Sequence, residues 1–425
     1  MVATEAMAIS TVMPLVESDL GDIWLYGWAF SAFFLGDLIG IVVGGRAADR
    51  VHPVGPLLVG LVVFTVGLVV GGLAPSMAVL VAGRFLQGVG AGVVPAVAYV
   101  CVARGFDVAD RPRVFAIMST AWVVPSLVAP LLASAVATTV GWRWVFLGLV
   151  PVTIAAGVLA AVSLRGLESS SPGGHEPTPL ARVVMLVVGA AMLLSGLGGD
   201  SVWTAVPLVV GGLVLGVPAL RALVPTGTFR AAVGLPAAVL IRGVLTCSFF
   251  AANAYLSLAV TSVRGASTLF AGVVLASASF TWTAGAWAQA RLMASWGPAR
   301  LVRLAGIVLV AGLVLMIPSL LDVVPLWLWV IASCVAGLGI GLGYAPLSSV
   351  ALAEAEAGRE GVASSSLQLT DVLGMALGTG IGGVVVSTGD RLGAATGPTL
   401  AVVFAGSAVV GLGVAALGGR LERTT

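Results

Sequence analysis

Five ionisable side chains stand inside long apolar stretches of this chain: Glu5, Asp37, Arg84, Arg242 and Asp371. A charge in a segment of that kind is costly to hold, so it marks an ion or substrate pathway before it marks anything else. The chemistry open to such residues is proton transfer. A buried carboxylate near an arginine is pulled one way by desolvation and the other by the cation, and a change of surroundings can load or unload its proton. Arg84 shares a helical face with Gly88 and Gly92, spaced by four. The glycines admit a neighbouring backbone, and the arginine then points into the protein. It lies about 10 Å from the end of its helix, and Glu5 lies about 13 Å before Pro14, at 1.5 Å per residue. The two are therefore expected within reach of each other, either for proton or substrate work or as a fixed ion pair that locks the helices.

Asp371 sits one residue off a stripe made by Gly374, Gly378 and Gly382. It reads as a second coupling site or as a helix contact. Asp37 precedes Gly45 by about 12 Å of helix and is expected to pair with a loop arginine or to accept a contact from a neighbouring helix. Arg242 lies early in its apolar stretch, from which its long side chain can snorkel to the interface. Asn253 and Tyr255 are weaker polar candidates. Trp282 and Trp287 line a cavity or face lipid.

Other chemistry is poorly supplied. Cys101, Cys247 and Cys334 each lie in an apolar stretch and read as small buried hydrophobes. Histidine occurs only at His52 and His175, too few for a histidine metal site. Lysine is absent, so no phosphate-binding Gly-x-x-x-x-Gly-Lys string exists. No cofactor, metal, nucleic acid or ATP is expected, and dispersed acids argue against a membrane-embedded enzyme. A gradient must drive the work, or it is passive.

The elements that position these residues are membrane helices. The chain has 425 residues, 59% hydrophobic and 9% charged, against about 25% charged in a soluble domain. Lipid is its natural solvent. Spans are expected at 23–45, 57–74, 78–103, 114–137, 143–164, 182–198, 202–223, 235–260, 267–290, 301–320, 324–350, 362–387 and 398–419, after a fragment ending at Pro14. The arginines in alternate loops sort as 15 on one side and 3 on the other (Arg143, Arg264, Arg391), with Arg84 and Arg242 inside spans, which accounts for all 20 basic residues. The positive-inside rule puts the larger set, and both termini, in the cytoplasm. The fragment before Pro14 is too short to cross. It reads as a truncated first helix, with roughly 10–20 further apolar residues expected ahead of Met1, or else as a short re-entrant or interfacial segment held by its neighbours. Trp24, Tyr26 and Trp28 are interfacial anchors. Asp49, Arg50 and Arg113 fall at cytoplasmic helix ends, where ion pairs can hold one conformation closed.

Residues 165–180, rich in Ser, Gly and Pro, read as a cytoplasmic linker. The division expected is 1–164 as a first six-helix bundle, 181–224 as two additional helices, and 234–420 as a second six-helix bundle. Gly45-Arg46-Ala47-Ala48-Asp49-Arg50 and Gly285-Ala286-Trp287-Ala288-Gln289-Ala290-Arg291 each close a second span of a bundle, a weak repeat of the kind that builds transporters.

With that repeat the chain resembles the major facilitator superfamily. Gly45, Asp49 and Arg50 match the loop motif between its second and third helices. The string from Leu80 to Gly92 is similar to its fourth-helix motif. Ala129-Pro130 with Ala133 resembles the fifth-helix antiporter motif, and Gly141-Trp142-Arg143-Trp144-Val145-Phe146-Leu147 followed by Pro151 resembles the sixth helix of the fourteen-helix drug:proton antiporters. The resemblance implies an all-α polytopic membrane protein of two six-helix bundles plus two extra central helices. It implies a proton-coupling role for Arg84. Together with the reading of the residues above, the candidates are Glu5, Arg84, Asp371 and Asp37 for proton coupling or substrate contact, Gly45, Asp49, Arg50 and Arg113 for gating, and Gly88, Gly92, Pro130, Gly374 and Gly378 for helix packing. The expected activity is proton-coupled efflux of hydrophobic or cationic small molecules by a monomer in the cytoplasmic membrane. An importer or uniporter of a metabolite on the same fold is the alternative, and fold alone does not name a substrate.

Overall fold

The structure, a computed structural model, describes residues 2–105, 128–164, 180–198, 201–354 and 360–421. Among them, twelve helices are long and apolar enough to cross a membrane. The protein is a multi-pass membrane protein. No strand occurs among the described residues, as bilayer solvent requires of a chain that satisfies its backbone within each segment.

The helices run α1 (Val2–Leu20), α2 (Tyr26–Arg50), α3 (Val54–Gly72) and α4 (Met77–Gly105). After the first undescribed stretch come α5 (Val128–Thr139) and α6 (Arg143–Ser163). Then follow α7 (Leu180–Leu197), α8 (Val202–Leu223) and α9 (Leu235–Leu258). The run Thr268–Ser319 bends back at Gly297, φ 72°, where the left-handed region favours glycine. It crosses twice, as α10 (Thr268–Met293) and α11 (Ser295–Ser319). The chain closes with α12 (Trp327–Ala353), α13 (Glu360–Arg391) and α14 (Thr396–Leu417).

Two differences from the sequence expectation change how a segment is read. The first helix does not stop at Pro14 but carries it inside a 19-residue helix ending at Leu20. At 1.5 Å per residue that is about 28 Å. Glu17 and Asp19 consequently lie in its last turns. Leu180 belongs to α7, not to the linker, and residues 165–179 lie outside the described ones.

Contacts at the helix ends define two faces. On one, Arg143 binds Asp19 at 2.7 Å and the Ala74 carbonyl at 3.4 Å. Arg264 donates to the carbonyls of Ser319 and Val324 there. On the other, the Gly234 amide donates to the Arg420 carbonyl at 3.0 Å. These are called the Asp19 face and the Arg420 face below.

The two halves meet along α2 and α13. The seam is built from small residues: a Cβ on Gly27 would lie on the Gly383 backbone, 3.1 Å from its nitrogen. The Ser31 hydroxyl donates to the Ala376 carbonyl at 2.9 Å. Such close backbone approach is how helices associate where lipid is as apolar as leucine. Tyr255 of α9 seals the Asp19 end of the seam. Its hydroxyl donates to the Thr379 carbonyl at 2.7 Å, and its ring lies 5.6 Å from that of Tyr26. Helix α7 packs on both α2 and α13, so it lies alongside the seam. It is joined to α8 through Gly189, Gly212 and Gly216, and only 11% of the core of α8 is buried. That places α8 on the lipid side.

Candidate functional site

Among the described residues, each half holds one buried arginine–carboxylate pair. In the first half Arg84 projects from α4 into the space between α1 and α2. Gly88 and Gly92, one and two turns further on, have no side chain to keep α2 away. A Cβ at Gly88 would strike the Phe33 carbonyl, and one at Gly92 would sit 2.6 Å from Asp37 Oδ1. That closeness brings the α2 backbone to the guanidinium. Arg84 Nε donates to the Ala29 carbonyl at 3.0 Å and Nη1 to Gln87 Oε1 at 2.6 Å. Nη1 also donates to Glu5 Oε1. The guanidinium carbon lies 4.4 Å from the centre of the Phe33 ring, a cation–π contact. Glu5 and Arg84 are both buried, 0% and 3% exposed, so the pair is desolvated on both sides. Glu5 Oε2 has no hydrogen-bond partner among the described residues.

In the second half the buried arginine is Arg242 of α9. It does not snorkel. It is 4% exposed, and its Nε donates to Asp371 Oδ1 of α13 at 2.9 Å. Nη1 donates to the Tyr344 carbonyl of α12 at 2.6 Å, and the guanidinium lies over the Tyr344 ring. The Tyr344 hydroxyl donates to Asp371 Oδ2 at 2.6 Å. Both carboxylate oxygens are thus occupied, by a cation on one and a phenol on the other. The approach of α13 to α9 depends on Gly374, whose Cβ would meet the Gly243 carbonyl, and on Gly378, which lies against the Cys247 backbone.

The two pairs are chemically alike and lie at opposite depths. Arg84 is seven residues inside the Asp19 end of α4, and Arg242 is seven residues inside the Arg420 end of α9. Each is therefore about 10 Å below its own face. Between them runs a chain of aromatic rings. Phe33 meets Phe34 at 5.6 Å, Phe34 meets Phe250 at 5.9 Å, Phe250 meets Trp282 at 6.4 Å and Trp282 meets Tyr344 at 5.4 Å. Phe249 braces the chain, 5.7 Å from Trp282. The first three contacts are edge-to-face, the arrangement aromatic quadrupoles favour. Phe34, Phe250, Trp282 and Tyr344 remain partly exposed, so the rings form a surface and not a sealed core. This surface crosses from the first half to the second at Phe34–Phe250.

The remaining candidates separate. Asp37 has neither a loop arginine nor any hydrogen-bond donor on its carboxylate among the described residues; it is partly buried against Gly92 of α4. Pro130 of α5 is buried, and its carbonyl lies 3.2 Å from where a Cβ of Gly272 in α10 would stand. Trp282 belongs to the aromatic chain, whereas Trp287 is 64% exposed and faces outward. Gly45 and the backbones of Asp49 and Arg50 lie in the last turns of α2. The side chains of Asp49 and Arg50, and all of Arg113, lie outside the described residues. Gln87 and Tyr344 were not candidates from sequence. Gln87 carries a usable signal, a polar residue three places from Arg84 on the same face. Tyr344 carries none, because a lone tyrosine in an apolar span is ordinary.

A family model, the Major Facilitator Superfamily, matches residues 1–379. The chain belongs to the major facilitator superfamily. Among its relatives is a Mycobacterium tuberculosis protein named as a probable multidrug-efflux transporter. It is 28% identical over 431 residues, covering 96% of this chain and 90% of the relative. The multidrug transporter protein MdtP of Bacillus subtilis is 22% identical over 397 residues, 91% of this chain and 73% of its own. Among solved structures, an auto-inhibited POT family peptide transporter superposes with a TM-score of 0.69 at 16% identity, over 100% of this chain and 96% of that one. The nucleoside transporter NupG gives 0.65 at 11% identity, over 98% and 97%. These superpositions establish the fold of the chain. The protein is a transporter and not an enzyme, and its substrates are small molecules.

Proposed function

We propose that this transporter expels hydrophobic or cationic small molecules in exchange for protons. The observation that carries the reading is the aromatic surface from Phe33 to Tyr344, with an arginine–carboxylate pair at each end. Flat apolar rings bind flat apolar ligands, and their negative faces attract cations. A substrate near Phe34 and Phe250 contacts both halves at once, as a molecule moved by rocking of the halves must. The ion pairs supply groups that exchange protons without metal or nucleotide.

On this reading Glu5, Arg84, Asp371 and Asp37 are the coupling residues, and Asp49, Arg50 and Arg113 hold the cytoplasmic end. The Arg420 face is cytoplasmic, both termini lie on that side, and the membrane is the cytoplasmic one. Helices α7 and α8 are additions between two six-helix bundles, which gives the fourteen-helix form. The efflux names of the relatives support the direction.

The test is flux in liposomes holding the purified protein and a fluorescent lipophilic cation. An imposed proton gradient is expected to drive the dye against its own gradient, and an uncoupler to stop it. Dye movement that ignores the proton gradient would overturn proton coupling. Absence of movement for every aromatic cation tried, with uptake of a polar metabolite instead, would overturn the substrate class.

A further inference from the structure

We infer that the Asp19–Arg143 pair and the cavity beside it form a binding site for a zwitterionic phospholipid, one whose headgroup carries a phosphate and a primary ammonium. The inference goes beyond the transport reading above and uses neither its direction nor its coupling.

The pair closes a clasp on the Asp19 face. Gly141, at φ 102°, turns the chain between α5 and α6 and brings Trp142 and Arg143 to the end of α1. Trp142 Nε1 donates to Asp19 Oδ2 at 3.0 Å, and Arg143 Nη1 donates to the same oxygen at 2.7 Å. Arg143 Nη2 reaches the Ala74 carbonyl, just past α3, at 3.4 Å. The guanidinium carbon lies 4.4 Å from the centre of the Trp142 ring. These contacts tie three helices together and leave polar capacity over. Among the described residues Asp19 Oδ1 receives no hydrogen bond and Arg143 Nε gives none. Nη2 keeps a second N–H. The two side chains are 42% and 48% exposed, Arg143 and Asp19 respectively. Arg264, on the same face, is the contrast. It is 6% exposed, and its Nη groups donate to the carbonyls of Ser319, Asp322 and Val324.

Beside the clasp lies a cavity of about 400 Å³. Its lining joins the two unlike charges, Asp19 and Arg143, to an apolar set of Leu15, Ala137, Val140 and Trp144. Val140 and Trp144 are exposed, as are Leu131 and Leu132 further down α5, so the cavity borders lipid. An exposed indole at a helix end on this face marks the level of the headgroups.

Charge and level select the occupant. A phosphate is matched by the Nε–H and Nη2–H edge of Arg143, the fork arginine offers to oxyanions. A primary ammonium is matched by Asp19 Oδ1. A quaternary ammonium has no N–H to give that oxygen. A lipid of net negative charge brings the Asp19 carboxylate no counter-charge. The acyl chains take the apolar set, continuous with the bilayer.

The test is native mass spectrometry of the purified protein in detergent, titrated separately with dioleoyl phosphatidylethanolamine, phosphatidylcholine and phosphatidylglycerol. One phosphatidylethanolamine is expected to bind about tenfold more tightly than either other lipid, because a hydrogen bond to a charged group is at stake. Asp19→Asn is expected to bring the three lipids within about twofold of one another, and Arg143→Gln to weaken all of them. Ala137→Phe fills the cavity without touching the clasp and is expected to abolish the preferred binding. Val140→Phe, at an exposed position, makes the same test should Ala137→Phe fail to fold. Equal affinities for the three lipids in the wild type overturn the inference, as does a preference that survives Asp19→Asn or both cavity-filling changes. Glycerophosphoethanolamine, the headgroup without its chains, is expected not to displace the lipid at equal concentration. Displacement by it would make the ligand a soluble one and overturn the lipid assignment.

Discussion

The hydroxyls of Ser31 and Thr379 stand 3.0 Å apart across the line where the two halves of the transporter touch. Ser31 also donates to the Ala376 carbonyl, and Thr379 to the Met375 carbonyl at 2.9 Å. Ser31 is thus bonded to the opposite helix, while the single hydroxyl proton of Thr379 has acceptors both on its own helix and at Ser31. A hydrogen bond of that type contributes only about 0.5–1.5 kcal/mol net, so the contact can be made and released repeatedly.

Closure of this seam depends on Gly27. Gly27→Val places branched carbons where the Gly383 backbone and the Tyr255 hydroxyl, 2.7 Å from the Cβ position, now stand. Overpacking of this sort costs about 1–3 kcal/mol. Transport is expected to fall at least tenfold with membrane abundance retained, and a cysteine at Thr379 should become accessible to a water-soluble maleimide. Unchanged labelling would show that the contact is not needed for closure.

Arg84 holds three acceptors from three different residues, which a lysine ammonium cannot reach with the same planar geometry. Arg84→Ala leaves Glu5 buried without a cation and is expected to cost about 3–5 kcal/mol. The double change Glu5→Gln with Arg84→Gln should recover part of that stability but, on the proposed proton coupling, none of the transport. Thermal unfolding in detergent, followed by gel filtration, separates the two effects.

Tyr344→Phe removes the 2.6 Å bond to Asp371 Oδ2 and keeps the ring against Trp282. Loss of a hydrogen bond to a charged group costs about 1.5–3 kcal/mol. Transport is expected to lose its normal dependence on pH, while the apparent affinity for an aromatic cation changes less than twofold. Trp282→Ala should do the reverse, weakening the cation by about tenfold, or about 1.4 kcal/mol, with the pH profile kept. Identical profiles for the two variants would argue that ring surface and ion pair do not act separately.

At the Asp19 face, hydrogen bonds from Arg143 and Trp142 hold the Asp19 carboxyl below its usual range. A carboxyl lowered on folding stabilises the protein above its unfolded value, and that contribution is lost as pH falls through the lowered one. Wild-type protein should therefore lose stability in acid below about pH 4 more steeply than Asp19→Asn. The pair is exposed, so salt should shrink the difference. A thermal-shift series over pH at two ionic strengths measures both.

The sequence made the membrane class plain and singled out the five charges within spans, because a charge in an apolar run is visible without knowing any partner. The Arg84–Glu5 approach was also legible, since depth along two helices is simple arithmetic. The Arg242–Asp371 pair was not. Its members are 129 residues apart, and in spans where every face is apolar the periodicity does not say which helices meet. Arg242 lies near a helix start, where snorkelling and burial give the same pattern, and only the position of α12 decides between them. Pro14 misled for a related reason. Proline breaks helices in water, but neighbouring helices tolerate it inside a membrane, and α1 runs through it. The aromatic chain was invisible because Phe33, Phe34, Phe249, Phe250, Trp282 and Tyr344 come from four helices and acquire a common surface only on packing.

Helix α7 lies along the seam, with the Leu194 side chain against Gly380 of α13 and Val187 and Ala191 beside the Trp28 side of α2. The seam consequently has unlike flanks. On the α7 side the bilayer meets a wall two helices thick. On the side where Pro130 touches Gly272, α5 and α10 meet directly with nothing laid over them among the described residues. A molecule dissolved in the acyl chains therefore meets a lopsided protein, with a shielded broadside and a bare one. Because α7 touches both α2 and α13, rocking of the halves is expected to have a restrained edge along α7 and a free edge opposite it.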